Sequence, residues 1–171
     1  MANKTACFTG HRPSKLRGYN PEDNIGLLMA LKDNIVDHIE EKNVTNFISG
    51  MALGTDIWSA MIVLKLKSNY PKIKLVCAIP CLNQYSKWVQ KSIDEWRYIT
   101  KMADRIHYIS KESYTPWCMQ RRNEWMVDNS SYVIGVWDGT NGGTKNCIQY
   151  ATKKGVSVTR IHPKTLEIYQ S

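Results

Sequence analysis

Two hydrophobic rhythms alternate along the chain. Short apolar runs are separated by longer stretches in which apolar residues recur at helical spacing, so the pattern predicts strands alternating with helices. The strand-like runs are residues 5–9, 44–49, 73–79, 105–109, 132–137 and 156–161, about six strands. Between the first two, residues 21–42 carry Leu28, Leu31, Ile35 and Ile39 on one face, with Asn20 and Pro21 as cap and first helical position. Residues 55–67 place Ile57, Met61 and Leu64 together, and residues 83–102 align Tyr85, Trp88, Val89, Ile93, Trp96 and Ile99 in one stripe. A further helix is predicted over 116–129, opened by Pro116. The last runs from the glycine turn after Trp137 to Lys154, with Gly155 past its end as a cap.

Regular alternation of this kind predicts an α/β Rossmann-like three-layer sandwich, a mainly parallel sheet covered by helices on both faces. Open sheets of this class bind ligands outside the carboxyl ends of their strands. At 171 residues the chain is expected to be a single domain spanning 1–171. Its 43% apolar and 22% charged residues are ordinary for a globular protein, and no solenoid repeat is visible. No apolar run approaches the length of a membrane span, and the opening MANKTACFTG lacks a secretory apolar segment, so the expected compartment is the cytoplasm, with no membrane partner. The five cysteines, Cys7, Cys77, Cys81, Cys118 and Cys147, form no C-x-x-C pair and read as reduced core thiols, with no metal site expected.

Charge changes the picture in one respect. A formal net charge of +8, with six Trp and nine Tyr, suits phosphate backbones and base stacking, although the lysines are scattered rather than blocked.

The unusual residues gather in the strand-to-helix loops. In TGHRP (9–13), Gly10 permits close backbone approach while His11 and Arg12 offer donors to an anion; an ordinary loop would look the same. In SGMALGTD (49–56), Ser49, Gly50 and Gly54 precede a helix start where backbone N–H groups favour anions; the alternative is a tight turn with Asp56 as a first-turn helix acid. It is neither a G-x-G-x-x-G fingerprint nor a Walker loop. In RRNEW (121–125), Arg122 and Asn123 either meet something polar or lie on an exposed helix face. In the segment 138–146, Gly139, Gly142 and Gly143 precede Thr144 at a helix start, a phosphate-cradle pattern that a mobile loop would share. His11 is the only histidine in these loops, and no His-Cys-Asp grouping suggests a triad.

Taken in order, TGHRP, SGMALGTD, RRNEW and GTNGGTKNCIQYA resemble the SLOG superfamily of Rossmann-like proteins, which includes the DNA-processing protein Smf/DprA and the LOG phosphoribohydrolases, and most closely its YpsA-like branch. The resemblance covers nearly the whole chain. It implies a ligand pocket formed by Gly10, His11, Arg12, Ser49, Gly50, Gly54, Asp56, Arg122, Asn123, Gly142, Gly143 and Thr144, taking a nucleotide, an ADP-ribose-like ligand or nucleic acid, in a chain that can form homo-oligomers. No other cofactor is evident. The hydrolase branch carries a catalytic glutamate shortly after its P-G-G-x-G-T turn; here Thr144 is followed by Lys145, Asn146 and Cys147. A catalytic reading must therefore find its carboxylate elsewhere, at Asp56, Glu124 or Asp138, none with an evident partner, so catalytic residues stay unassigned.

Three functions follow from these residues. The first is a module that binds a phosphate-bearing nucleotide or derivative, as a sensor or a sequestering protein. The second is a nucleotide N-glycosidase or transferase, and the third a single-stranded DNA-binding protein resembling DprA.

Overall fold

The computed structural model describes residues 4–171. Strand β1 (Lys4–Gly10) leads through two 3-10 turns, Pro13–Lys15 and Pro21–Asn24, into α1 (Ile25–Glu40). There follow β2 (Val44–Ser49), α2 (Thr55–Leu66), β3 (Lys74–Ile79), α3 (Gln90–Met102), β4 (Arg105–Tyr108), α4 (Cys118–Asp128), β5 (Tyr132–Val136), α5 (Gly143–Lys153), β6 (Ser157–Ile161) and β7 (Ile168–Gln170). The strands form one sheet in the order β4-β3-β2-β1-β5-β6-β7, parallel except for the last pair. The Rossmann-like α/β sandwich read from the sequence is the observed fold, with β7 as an added antiparallel edge strand.

Successive residues of a strand point to opposite faces, and the core divides accordingly. Phe8, Phe47 and Leu75 face one way, packed with Leu31 and Ile35 of α1, Ile57 and Val63 of α2, and Ile99 of α3. Cys7, Ile48 and Val133 face the other, against Met126 and Val127 of α4 and Cys147, Ile148 and Ala151 of α5. All five cysteines are free and buried. No helix among the described residues is long and apolar enough to cross a membrane. The strand order reverses between β1 and β5: chain growth runs outward from β1 toward β4 on one side, and outward from β5 on the other. A crevice therefore opens above the carboxyl ends of those two strands.

Three helices differ from their sequence patterns. The helix expected from Asn20 and Pro21 begins as a 3-10 turn and becomes α-helical only at Ile25. In α2 the stripe of Ile57, Met61 and Leu64 is only part of what is enclosed: residues 55–60, Ile57 among them, and Val63 and Leu66 are buried, while Met61 and Leu64 are half-buried against the core. The first two turns of α2 are enclosed by neighbours on nearly all sides, a situation in which periodicity carries no face information. The stripe predicted from Tyr85 onward joins two structures. Val89 is the 69% exposed N-cap residue of α3, and the preceding segment folds back so that the Tyr85 and Trp96 rings lie 4.6 Å apart.

His38 is buried on α1, where Nδ1 donates to the carbonyl of Asn34 at 2.7 Å and Nε2 faces Lys42 Nζ at 3.3 Å. Burial lowers its pKa from 6.5; the Asn34 hydrogen bond opposes that shift and the Lys42 charge adds to it. The unfolded chain thus binds a proton that the folded chain refuses. The contribution is complete above the unfolded value and is lost as pH falls below 6.5 toward the lower folded value. Denaturation midpoints measured from pH 7.5 to 5.5 are expected to fall with acidification. His38→Gln should flatten that slope, by at most about 1.4 kcal/mol per pH unit. An unchanged slope would show that His38 protonates freely.

Candidate functional site

The end of β1 and the start of α2 are built on one another. Beyond Gly10 the His11 amide donates to Val136 O at 3.1 Å, and the His11 carbonyl accepts from the Thr55 amide at 3.3 Å and from its hydroxyl at 3.0 Å. A Cβ on Gly10 would lie 2.5 Å from the Thr55 side chain. Gly54, at φ +86°, would bring a Cβ within 2.8 Å of His11 O. The Ser49 hydroxyl donates to Asp56 O at 2.9 Å and accepts from the Met51 amide at 3.2 Å, closing the turn between β2 and α2. Gly50 lies beneath Arg122: its carbonyl accepts from Arg122 Nη1 at 2.6 Å, and a Cβ there would come within 2.7 Å of the guanidinium. Gln84 Nε2 reaches the same carbonyl at 3.0 Å and is itself held by the Trp96 indole N–H. Gly10, Gly50 and Gly54 are thus glycines because protein atoms approach them closely.

Around this frame lies a cleft of about 280 Å³ above the β1–β5 reversal. Of the residues the sequence singled out, Gly10, His11, Arg12, Asp56, Arg122, Asn123, Gly142, Gly143 and Thr144 line it. Ser49, Gly50 and Gly54 stand behind it and shape the loop that carries Asp56. The sequence reading did not select Ser14, Lys15, Ala52, Met119, Thr140 or Asn141, which also line the cleft. Lys15 had a signal, as the first cation beyond TGHRP; the others are brought in by loop packing.

The cleft is rich in donors. Arg122 is only 4% exposed; Nε donates to Asn123 Oδ1 at 3.0 Å and Nη1 to Gly50, while Nη2 has no protein partner among the described residues. Asn123 accepts through Oδ1, leaving its amide N–H₂ without a protein acceptor there. At α5 the amides of Gly143, Thr144 and Lys145 have no acceptor among the described residues, and the first bonded amide is that of Asn146, to Gly142 O at 3.1 Å. The amino end of α2 is different, because Thr55 and Ile57 amides donate to His11 O and Ala52 O, and the Asp56 carboxylate occupies its first turn. Of the two glycine turns, only the one before α5 offers an open row of backbone donors. Gly142, at φ +146°, and Gly143 leave open space where their Cβ atoms would be, with only Lys15 Nζ within 4 Å of the former.

Asp56 and Arg122 share the buried part of the cleft. Burial raises the Asp56 pKa, against the pull of Arg122 and the Ala52 amide, which donates to Oδ2 at 3.3 Å. Burial likewise lowers Arg122, countered by Asp56.

Asp138, which lacked a partner in the sequence, is joined to His11, with Nε2 2.8 Å from Oδ1. The Asp138 amide approaches the same nitrogen at 3.0 Å, so the neutral tautomer protonated at Nδ1 accepts from the amide, while the tautomer protonated at Nε2 and the charged ring donate to the carboxylate. Burial lowers the His11 pKa and Asp138 opposes that shift. Burial works against Asp138, yet the Thr140 hydroxyl and amide, and then His11, hold its carboxyl well below the usual range. Lys15 Nζ donates to Thr140 Oγ1 at 2.8 Å and Asn141 O at 3.1 Å, tying the first loop to the glycine turn. Glu124, the third candidate carboxylate, is half-buried, does not line the cleft, and accepts from Gln120 at 3.3 Å. Among the described residues no group of three or more His, Cys, Asp or Glu side chains could hold a metal.

The chain resembles solved structures over 96% of its length. It superposes on DNA processing protein A of Streptococcus pneumoniae with a TM-score of 0.67 at 16% identity, spanning 52% of that chain. The equivalent protein of Helicobacter pylori, described by its single-stranded DNA binding mode, gives 0.60 at 17% identity and 67% of its chain. At these identities the likeness is one of fold. In sequence the chain is 35% identical over 153 residues to the SPbeta prophage-derived protein YoqJ of Bacillus subtilis, covering 80% of this chain and 90% of that one. It is 34% identical over 156 residues to a UPF0398 protein of Brevibacillus brevis, covering 88% and 82%. Residues 6–170 match the family model described as the YspA SLOG family, and the chain belongs to that family.

Proposed function

We infer that this protein binds a phosphate-bearing nucleotide or nucleotide-derived ligand in the cleft above the β1–β5 reversal. The observation that carries this reading is the convergence of unpaired donors on one cleft: the amides opening α5, Arg122 Nη2 and the Asn123 amide. A helix amino end with free N–H groups and a positive dipole end favours phosphate, and a buried guanidinium adds a charge-assisted bond. Asp56 cannot serve the phosphate. As a buried acceptor in a cleft of donors it suits a ribose hydroxyl.

Asp56→Asn separates the two roles. In equilibrium titrations it is expected to weaken ADP-ribose by about tenfold, the loss of a hydrogen bond to a charged group, while inorganic phosphate binds as before or more tightly. Equal weakening of both would remove Asp56 from the sugar site.

A second reading, single-stranded DNA binding, is favoured by the structural likeness to DNA processing protein A and by the net charge of +8. DNA affinity would fall steeply with salt and respond to lysine reversal far from the cleft, because each phosphate contact releases counterions. A small ligand would be lost only with changes in the cleft.

A further inference from the structure

Resting on the reading of the cleft as a phosphate site, we propose that His11 binds that phosphate in proton-coupled fashion: Nδ1–H donates to the anion while Nε2–H donates to Asp138. The cleft then takes up a proton together with its ligand, and pH sets the affinity.

His11 is only 4% exposed and lines the cleft. Nε2, at the tip of the ring, lies 2.8 Å from Asp138 Oδ1. Nδ1 has no hydrogen-bond partner among the described residues, yet it is not among the side-chain atoms sealed from solvent, so it opens toward the cleft that the ring lines. A polar atom of a buried side chain left without a protein partner is satisfied from outside.

Both ends of the contact are fixed before a ligand arrives. The His11 amide donates to Val136 O and its carbonyl accepts from Thr55. Asp138 Oδ1 accepts from the Thr140 hydroxyl at 2.6 Å and from the Thr140 amide at 3.0 Å, which keeps the carboxyl ionised. A ring held in this way loses little freedom on binding.

Only one form of the ring suits two anions. With the proton on Nδ1 alone, the Nε2 lone pair faces the Asp138 carboxylate; with it on Nε2 alone, the Nδ1 lone pair faces the phosphate. The charged ring donates at both ends. Burial, Lys15 from the 3-10 turn after β1 and His162 from beyond β6 oppose that form, and Asp138 favours it; the balance lowers the pKa from 6.5. Arg12, Asp56 and Arg122 line the same cleft. The ring is therefore mostly neutral at pH 7 without ligand, and a phosphate against Nδ1 shifts it toward the charged form. The liganded ring holds its proton to higher pH than the unliganded one. Affinity accordingly rises as pH falls through the interval between the two values, and is flat on either side.

The test is calorimetric titration of sulfate and of ADP-ribose, two anions whose own charge stays constant from about pH 8 to about pH 6, in pairs of phosphate-free buffers that differ in protonation enthalpy. Wild type, His11→Gln and His162→Gln are compared. The wild type is expected to take up as much as about one proton per ligand near pH 7, with affinity rising on acidification by at most about tenfold per pH unit. His11→Gln keeps a donor for Asp138 and has none at the Nδ1 position. It should show neither proton uptake nor pH dependence, and should bind about tenfold more weakly at about pH 6. His162→Gln should keep both effects. In the wild type, the NMR titration midpoint of the His11 ring should rise with sulfate while that of His107, stacked on Trp125, stays where it is. Binding without proton uptake, or uptake that persists in His11→Gln, would overturn the role of His11 and leave the phosphate site standing. If His11→Gln fails to fold or to bind, an unmoved His11 midpoint in the wild type overturns it. If neither anion binds the wild type at any pH, the phosphate site fails and the role of His11 with it.

Discussion

Gly143→Val is expected to abolish binding of phosphate-bearing ligands, with a loss of at least about a hundredfold, while leaving the melting temperature almost unchanged. The fold does not need a glycine there, because Gly143 has no left-handed φ and a Cβ would meet no atom within 4 Å. A branched side chain at the first position of α5 would instead stand over the amides of 143–145, in the space a phosphate must enter. Gly50 and Gly10 behave in the opposite way, since a Cβ at either collides with Arg122 or Thr55. The contrast separates a glycine that keeps space for a ligand from glycines that pack protein against protein. Normal binding by a folded Gly143→Val variant would remove the α5 cradle.

Arg122→Ala should be destabilising, by roughly 1–3 kcal/mol, the range for leaving buried hydrogen-bond acceptors unpaired. Arg122 and Asp56 are nearly inaccessible, and each offsets part of the other's cost of burial. The substitution would remove donors from Gly50 O and Asn123 Oδ1, and one of the two nearby positive charges from Asp56. For a chain of this size the melting temperature should fall by about 5 °C. Adding Asp56→Asn to Arg122→Ala should recover part of the loss, because the under-compensated charge is gone while the cavity remains. Chemical denaturation of the two singles and the double gives the coupling directly. A loss under about 1 kcal/mol for Arg122→Ala would mean that water takes the place of Arg122 at Gly50 O and Asn123 Oδ1.

Alternation of rhythm was enough for the layers of the fold, because a parallel sheet buries its strands as short apolar runs, and 132–136 is almost wholly of that kind. It failed where an element is enclosed on many sides, as at α2, or where a folded-back segment supplies aromatic residues in apparent phase with a helix, as at 83–89. Strand β7 shares its short, exposed Ile168–Gln170 with nothing in the pattern of buried strands. At the cleft, glycine turns and out-of-place polar residues led to most of the lining because those signals are local. What stayed hidden depends on contacts between loops distant in sequence: His11 with Asp138, Lys15 with Thr140 and Asn141, and Arg122 over Gly50. The same contacts explain why residues 10, 50 and 54 are glycines, since protein atoms from another loop stand within 3 Å of where each Cβ would be.

The phosphate is the feature on which the functional reading stands, and thermal unfolding isolates it. The melting temperature should be followed with AMP, GMP, CMP, UMP and ADP-ribose, each phosphate compound paired with its nucleoside at equal concentration. A ligand that binds only the native state raises the apparent stability by mass action. At least one phosphate compound should raise the melting temperature well beyond its nucleoside, with the difference lost in Gly143→Val. Equal shifts for nucleotide and nucleoside, or a nucleotide shift that Gly143→Val retains in full, would place the ligand elsewhere and refute the cleft as a phosphate site.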